Sequence, residues 1–175
     1  MLKYIVLAVI VVIAAVLAFA ASRPNGFKYQ RTTLIHAPAE KIFALINDFH
    51  AWAGWSPYEK LDPAMARTYS GPASGLGAAY GWESGGKAGV GSMEITAVKP
   101  AAQIVIRLIF TKPFAASNTA TFDLAPEADG TRVTWTMEGA NPFIAKLMGL
   151  VFSMDKMVGG DFETGLASLK AQCEA

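Results

Sequence analysis

Few side chains in this sequence could take part in catalysis, and their spacing matches none of the common arrangements. His36 and His50 stand fourteen positions apart with no cysteine or carboxylate at ligand spacing, so both read as surface or capping residues. Cys173 is the one cysteine, which excludes an internal disulfide and any multi-cysteine metal centre. It reads as a small apolar residue on a helix. There is no GxSxG, so a nucleophile elbow is excluded. Gly75-Leu76-Gly77 lacks the third glycine of a dinucleotide fingerprint, and Gly85-Gly86-Lys87 lacks P-loop spacing. These glycines read as turns and sheet curvature. Asp155, Asp161 and Glu163 read as the solvated face of a helix. Tyr80, Glu83 and Asn118 remain as groups that could polarise a substrate or move a proton, but no two form an evident acid and base. The sequence predicts no catalytic constellation, no metal site and no cofactor.

The elements that would hold such groups are easier to read. The 175 residues suffice for one domain of ordinary size, and a net charge of +1 gives no reason to expect a nucleic-acid partner. Tyr4 to Ala21 is a run of eighteen residues without a charge, close to the length that crosses a bilayer. Ala18-Phe19-Ala20 fits a signal-peptide cleavage pattern, yet the run exceeds the usual 7–15 residues of a signal core. We therefore expect residues 1–22 to be an N-terminal transmembrane anchor in preference to a signal, residues 23–26 a linker and residues 27–175 the folded domain. The membrane would be a partner through residues 4–21. The Lys3-only leader favours export of the domain, whereas Arg23, Lys28, Arg31 and Lys41 after the run favour the cytoplasm. The extreme N-terminal position of the run tips the expectation towards the exported, periplasmic side.

Phe27 to Ile35 reads as a strand, followed by a helix from Pro38 to about Asn47 and a second short helix or turn within Asp48 to Trp55. Trp52, Trp55 and Tyr58 cluster there as core cover, as the mouth of a pocket, or as a bilayer contact. From Ala66 to Gly139, short alternating runs separated by turn residues predict an antiparallel meander. Met93, Ile95 and Ala97 share one face of their strand; Ile104, Ile106, Leu108 and Phe110 share one of the next; Asn118, Ala120 and Phe122, then Val133, Trp135 and Met137, follow. Asn118 thus falls on an apolar face, where a buried amide needs a partner, either backbone or ligand. Asn141 reads as an N-cap with Pro142 at the first helical position. An apolar stripe from Phe143 through Leu147, Leu150, Met154, Val158, Phe162, Leu166 and Leu169 to Cys173 predicts one long helix. Unbroken, it would be about 50 Å long. The adjacent Gly159 and Gly160 predict a kink.

Strand, two helices, about six strands and a long helix make an α+β fold. The opening Ile35-His36-Ala37-Pro38-Ala39-Glu40-Lys41-Ile42-Phe43, then Asn47-Asp48-Phe49 and Trp52, resembles the START-like (SRPBCC) superfamily. The tail Asp161-Phe162-Glu163-Thr164-Gly165-Leu166-Ala167-Ser168-Leu169-Lys170 is similar to the closing helix of its polyketide cyclase/dehydrase group. The resemblance implies a helix-grip fold, a curved antiparallel sheet of six or seven strands around the C-terminal helix. It also implies a cavity between them for a small hydrophobic ligand. Compatible lining residues are Trp55, Tyr80, Trp82, Met93, Ile95, Ile106, Leu108, Phe110, Asn118, Trp135 and Met137, with Leu147, Met154, Val158 and Phe162 on the helix. The same residues could instead pack a solid core.

Three functions follow as expectations. The first is a membrane-anchored module binding a hydrophobic or amphipathic molecule, lipid or polyketide-like. The second is a cyclase- or dehydratase-like enzyme acting on a ketide-type substrate through Tyr80, Glu83 or Asn118. The third is an interaction module whose Trp52, Trp55 and Tyr58 touch the bilayer surface.

Overall fold

In the computed structural model, residues 1–86 and 88–175 are described; Lys87, the last residue of the sequence Gly85-Gly86-Lys87, lies outside them. Helix α1 (Leu2–Ser22) is followed by strand β1 (Gly26–Ile35), helix α2 (Ala39–Asn47), a 3-10 turn (Phe49–Ala51), helix α3 (Trp52–Trp55) and a second 3-10 turn (Pro57–Lys60). Strands β2 (Ala66–Ser70), β3 (Ala79–Glu83), β4 (Val90–Lys99), β5 (Gln103–Lys112), β6 (Ala116–Glu127) and β7 (Gly130–Ala140) come next. Helices α4 (Phe143–Met148) and α5 (Met154–Glu174) close the chain. The strands form one antiparallel sheet in the order β1-β7-β6-β5-β4-β3-β2, so the first strand joins the sheet beside the last.

Apolar and polar residues alternate along the strands, so the sheet buries one face and wets the other. Ile95, Ile104, Ile106, Phe122, Val133 and Trp135 are buried with Phe162, Leu166 and Leu169 of α5. Ala97 departs from the alternation. A bulge between Ile95 and Ala97 shifts the register to β5, Ala97 is exposed, and Val98 packs against the core in its place.

The C-terminal helix also departs from expectation. It breaks at residues 149–153, and α5 runs through Gly159 and Gly160 without interruption. Ser153 starts α5, its hydroxyl accepting from the Lys156 amide at 3.3 Å. Gly159 lies against the Arg31 guanidinium, where any side chain would collide, so the helix tolerates glycine there for packing. Asn141 does not cap α4. Pro142 occupies the cap position, and the Asn141 amide donates to the Pro24 carbonyl at 3.1 Å.

Polar clasps fix α5 along its length. Arg31 of β1 donates through Nε to Glu163 at 2.7 Å and through both terminal nitrogens to Asp155 at 3.1 and 3.2 Å. Asp155 and Glu163 thus hold a cation, not a merely solvated face, and the Asp155 carboxyl is held below its ordinary pKa by Arg31. At the far end, Lys170 donates to the Leu34 carbonyl, Lys41 to the Cys173 carbonyl, and the His36 amide to Glu174, each at 2.7 Å.

Helix α1 is long and apolar enough to cross a bilayer, and nearly all of it is exposed. Only Ala20 is buried, where the end of α1 meets α4.

Candidate ligand cavity

Between the sheet and the first half of α5 lies a cavity of about 360 Å³. Its floor comes from five adjacent strands, β3 to β7. Antiparallel register lines up Tyr80, Met93 and Leu108 in one row, and Ile106, Ala120 and Met137 in the next. Trp82 and Phe110 extend the wall, meeting edge-on with ring centroids 5.6 Å apart. Trp135 forms the deep end, stacked on Phe162 of α5 at 4.1 Å. Val158 and Asp161 continue the helical wall, and the segment after α3 supplies Ser56, Tyr58, Glu59, Leu61 and Met65. Leu61 and Met157 are largely exposed and mark the mouth.

Space remains because small residues sit where bulk would fill it. Ala120 stands on the floor between Ile106 and Met137. Gly165 of α5 acts the other way: a Cβ there would come within 2.8 Å of the Trp135 ring and 2.9 Å of Pro57, so glycine lets the helix close on the sheet beside the cavity.

Two polar features interrupt the apolar wall. Glu59 is almost fully buried and doubly held. Tyr80 Oη donates to one carboxylate oxygen at 2.6 Å and Arg67 Nε to the other at 2.7 Å. Burial, then the neighbouring carboxylate, pushes the Tyr80 phenol well above its ordinary pKa, so it stays a hydrogen-bond donor. Asp161 is the second feature. Its partly buried carboxyl is pushed above the usual range by desolvation, and it in turn adds to the burial that raises the Tyr58 phenol. Among the described residues, no cluster of three or more metal-ligating side chains occurs.

Of the residues expected to line a cavity, the structure gathers Tyr80, Trp82, Met93, Ile106, Leu108, Phe110, Trp135, Met137, Val158 and Phe162 around this one. Four site candidates and Leu147 lie elsewhere. Trp55 and Ile95 are fully buried in the core behind it, and Met154 packs at the core edge. Asn118 turns towards Gly139, its amide occupying the space a side chain there would need. Leu147 belongs to the separate α4. The trio Tyr80, Glu83 and Asn118 is not assembled. Only Tyr80 reaches the cavity, while Glu83 is exposed on the opposite face of β3. Trp52 and Trp55 are buried and Tyr58 is partly so, which removes them as a bilayer contact.

Sequence reasoning missed Glu59, Arg67 and Asp161. The helical period holds the signal for Asp161, which lies four residues after Met157 and three after Val158 and so shares their side of α5. Glu59 and Arg67 carry no such signal, because a 3-10 turn and an edge strand join only in three dimensions.

A curved antiparallel sheet closed on a long C-terminal helix, with an apolar hollow between them, defines an α+β helix-grip domain of the START-like kind. The chain belongs to the family described as polyketide cyclase/dehydrase and lipid transport, whose model matches residues 26–174. No curated protein matches the sequence. Among solved structures, the fold resembles protein CV1439 from Chromobacterium violaceum, with a TM-score of 0.61 and 17% identity, over 87% of this chain and 99% of that one. It is also similar to the Aha1 dimer from Colwellia psychrerythraea, with a TM-score of 0.56 and 18% identity, over 85% and 96% of the two chains. A third is the di-domain ARO/CYC BexL from the BE-7585A biosynthetic pathway, with a TM-score of 0.64 and 19% identity. That match covers 89% of this chain, which spans 52% of BexL. At these identities the likeness is one of fold.

Proposed function

We propose that the protein is a membrane-tethered receptor or carrier for one hydrophobic or amphipathic molecule, a lipid or a polyketide-like compound. The carrying observation is the cavity itself. Its volume of about 360 Å³ lies in the range that accommodates small ligands, and its lining is aromatic and aliphatic with few polar groups. The Glu59 carboxylate is already engaged by Arg67 and Tyr80, so it presents little free charge to a guest. The family's description, which includes lipid transport, supports the reading, and α1 supplies the tether.

Native mass spectrometry of the full chain released from detergent tests this. One co-purifying apolar adduct is expected on the wild type. Ala120→Phe, which fills the floor, should reduce its occupancy at least tenfold while leaving the circular dichroism spectrum intact. A bare wild-type chain, or equal adducts on both proteins, would refute the reading.

One observation favours a second reading, a cyclase or dehydratase acting on a ketide-type chain. Asp161 places a carboxyl of raised pKa beside the guest's position, where it could relay a proton to a folded carbon chain. An enzyme of this kind would lose turnover in Asp161→Asn while keeping its ligand. Ligand retention with no turnover by the wild type on ketide thioesters would leave the carrier reading alone.

A further inference from the structure

The surface beside the cavity mouth is unusually apolar. Phe143, Ile144 and Met148 of α4 are exposed, as are Val151 and Phe152 in the link to α5 and Met157 on its first turns. Val151 is 77% exposed, Phe152 62% and Ile144 61%. From Pro142 to Met154 the only charged residue is Lys146, and it is turned inward, donating to Asn25 Oδ1 at 2.7 Å. An exposed apolar corner of this kind marks an interaction site.

The position of the corner identifies its occupant. Helix α4 is fastened to the segment leaving α1. The Asn141 amide donates to the Asn25 carbonyl at 2.7 Å, its side chain donates to the Pro24 carbonyl, and Lys146 holds the Asn25 side chain. The end of α1 also packs on α4 through Ala20. Wherever α1 leaves a membrane, α4 must therefore lie at that membrane's surface. The patch is also continuous with the cavity, because Met157 belongs to both.

We propose that the α4–α5 corner inserts its apolar side chains into the lipid bilayer that holds α1, so that the cavity mouth opens onto lipid and the guest enters from the bilayer. This rests on the reading of α1 as an anchor. Short apolar segments at the headgroup boundary bind by burying such side chains.

The full chain is reconstituted into phosphatidylcholine vesicles, with an environment-sensitive fluorophore attached at Phe152→Cys or, as a control, Asp129→Cys. Asp129 is exposed in the β6–β7 turn, at the opposite end of β7 from α4. Cys173 is buried and stays unlabelled under native conditions. Flotation in a density gradient after an alkaline wash reads the anchor independently. We expect the protein to float, with acyl-chain nitroxide lipids quenching the label at 152 at least twofold more than the label at 129. Floating protein with equal quenching at both sites overturns the docked corner while leaving the anchor standing. Protein that does not float overturns both.

Discussion

Gly159 and Gly160 are neighbours in one helix and should respond to the same substitution with opposite sign. Each glycine costs a helix interior about 1 kcal/mol relative to alanine. At Gly160 a Cβ meets nothing within 4 Å. Gly160→Ala should therefore gain about 1 kcal/mol, which raises Tm by about 2–4 °C for a domain of this size. At Gly159 the Cβ would enter the Arg31 guanidinium, which can yield only by loosening its bonds to Asp155 and Glu163. Forced overpacking costs about 1–3 kcal/mol. Set against the same helix gain, Gly159→Ala should lose between about zero and 2 kcal/mol. Thermal unfolding of the full chain in detergent, followed by circular dichroism, reads both variants. An Arg31→Ala background supplies the control, because removing the guanidinium should let Gly159→Ala stabilise as Gly160→Ala does. If Gly159→Ala raises Tm as much as Gly160→Ala with Arg31 present, the arginine does not occupy that groove and the clasp is wrong.

Tyr80→Phe removes the phenol that donates to Glu59 and should cost about 1.5 kcal/mol in denaturant unfolding, because a hydrogen bond to a charged acceptor is lost. Ser153→Ala removes the α5 cap and should cost about 1 kcal/mol, and the loss should appear first as faster amide exchange in the opening turn of α5. Two acids of α5 should give opposite pH dependences. Asp161 has a raised folded pKa, so its favourable contribution is complete below its unfolded value and is lost as pH rises through the folded one. Asp161→Asn should therefore be more stable than the wild type at pH 7, with the difference shrinking as pH falls to 4 and below. Asp155 has a depressed folded pKa, so its contribution is present above the unfolded value and is lost as pH falls through the folded one. Asp155→Asn should be less stable than the wild type at pH 7, and that deficit should vanish in acid.

The sequence exposed most of the architecture because its signals were local. Alternation marks the strands and the helical period marks α5; eight of the expected strand residues and two of the helical ones line the cavity. The failures came where distant elements meet. Propensity alone puts a kink at Gly159 and Gly160, but the fit of Gly159 to Arg31, 128 positions away, decides that glycine's role. Alternation puts Ala97 on the inner face, but one bulge reverses the parity of the strand. Asn118 kept its predicted parity, yet register sets it against Gly139 and away from the hollow. Trp55 and Ile95 were sound as core residues, and only the depth of the core behind the cavity separates them from its lining.

Only residues 23–25 separate helix α1 from strand β1. Three extended residues reach about 10 Å. On the anchored reading, the domain hangs from a leash too short to carry it across an aqueous gap, and its search for any donor or acceptor is a lateral diffusion in two dimensions. Delivery would then be restricted to neighbours in the same sheet of lipid, met at a rate set by surface density and not by bulk concentration.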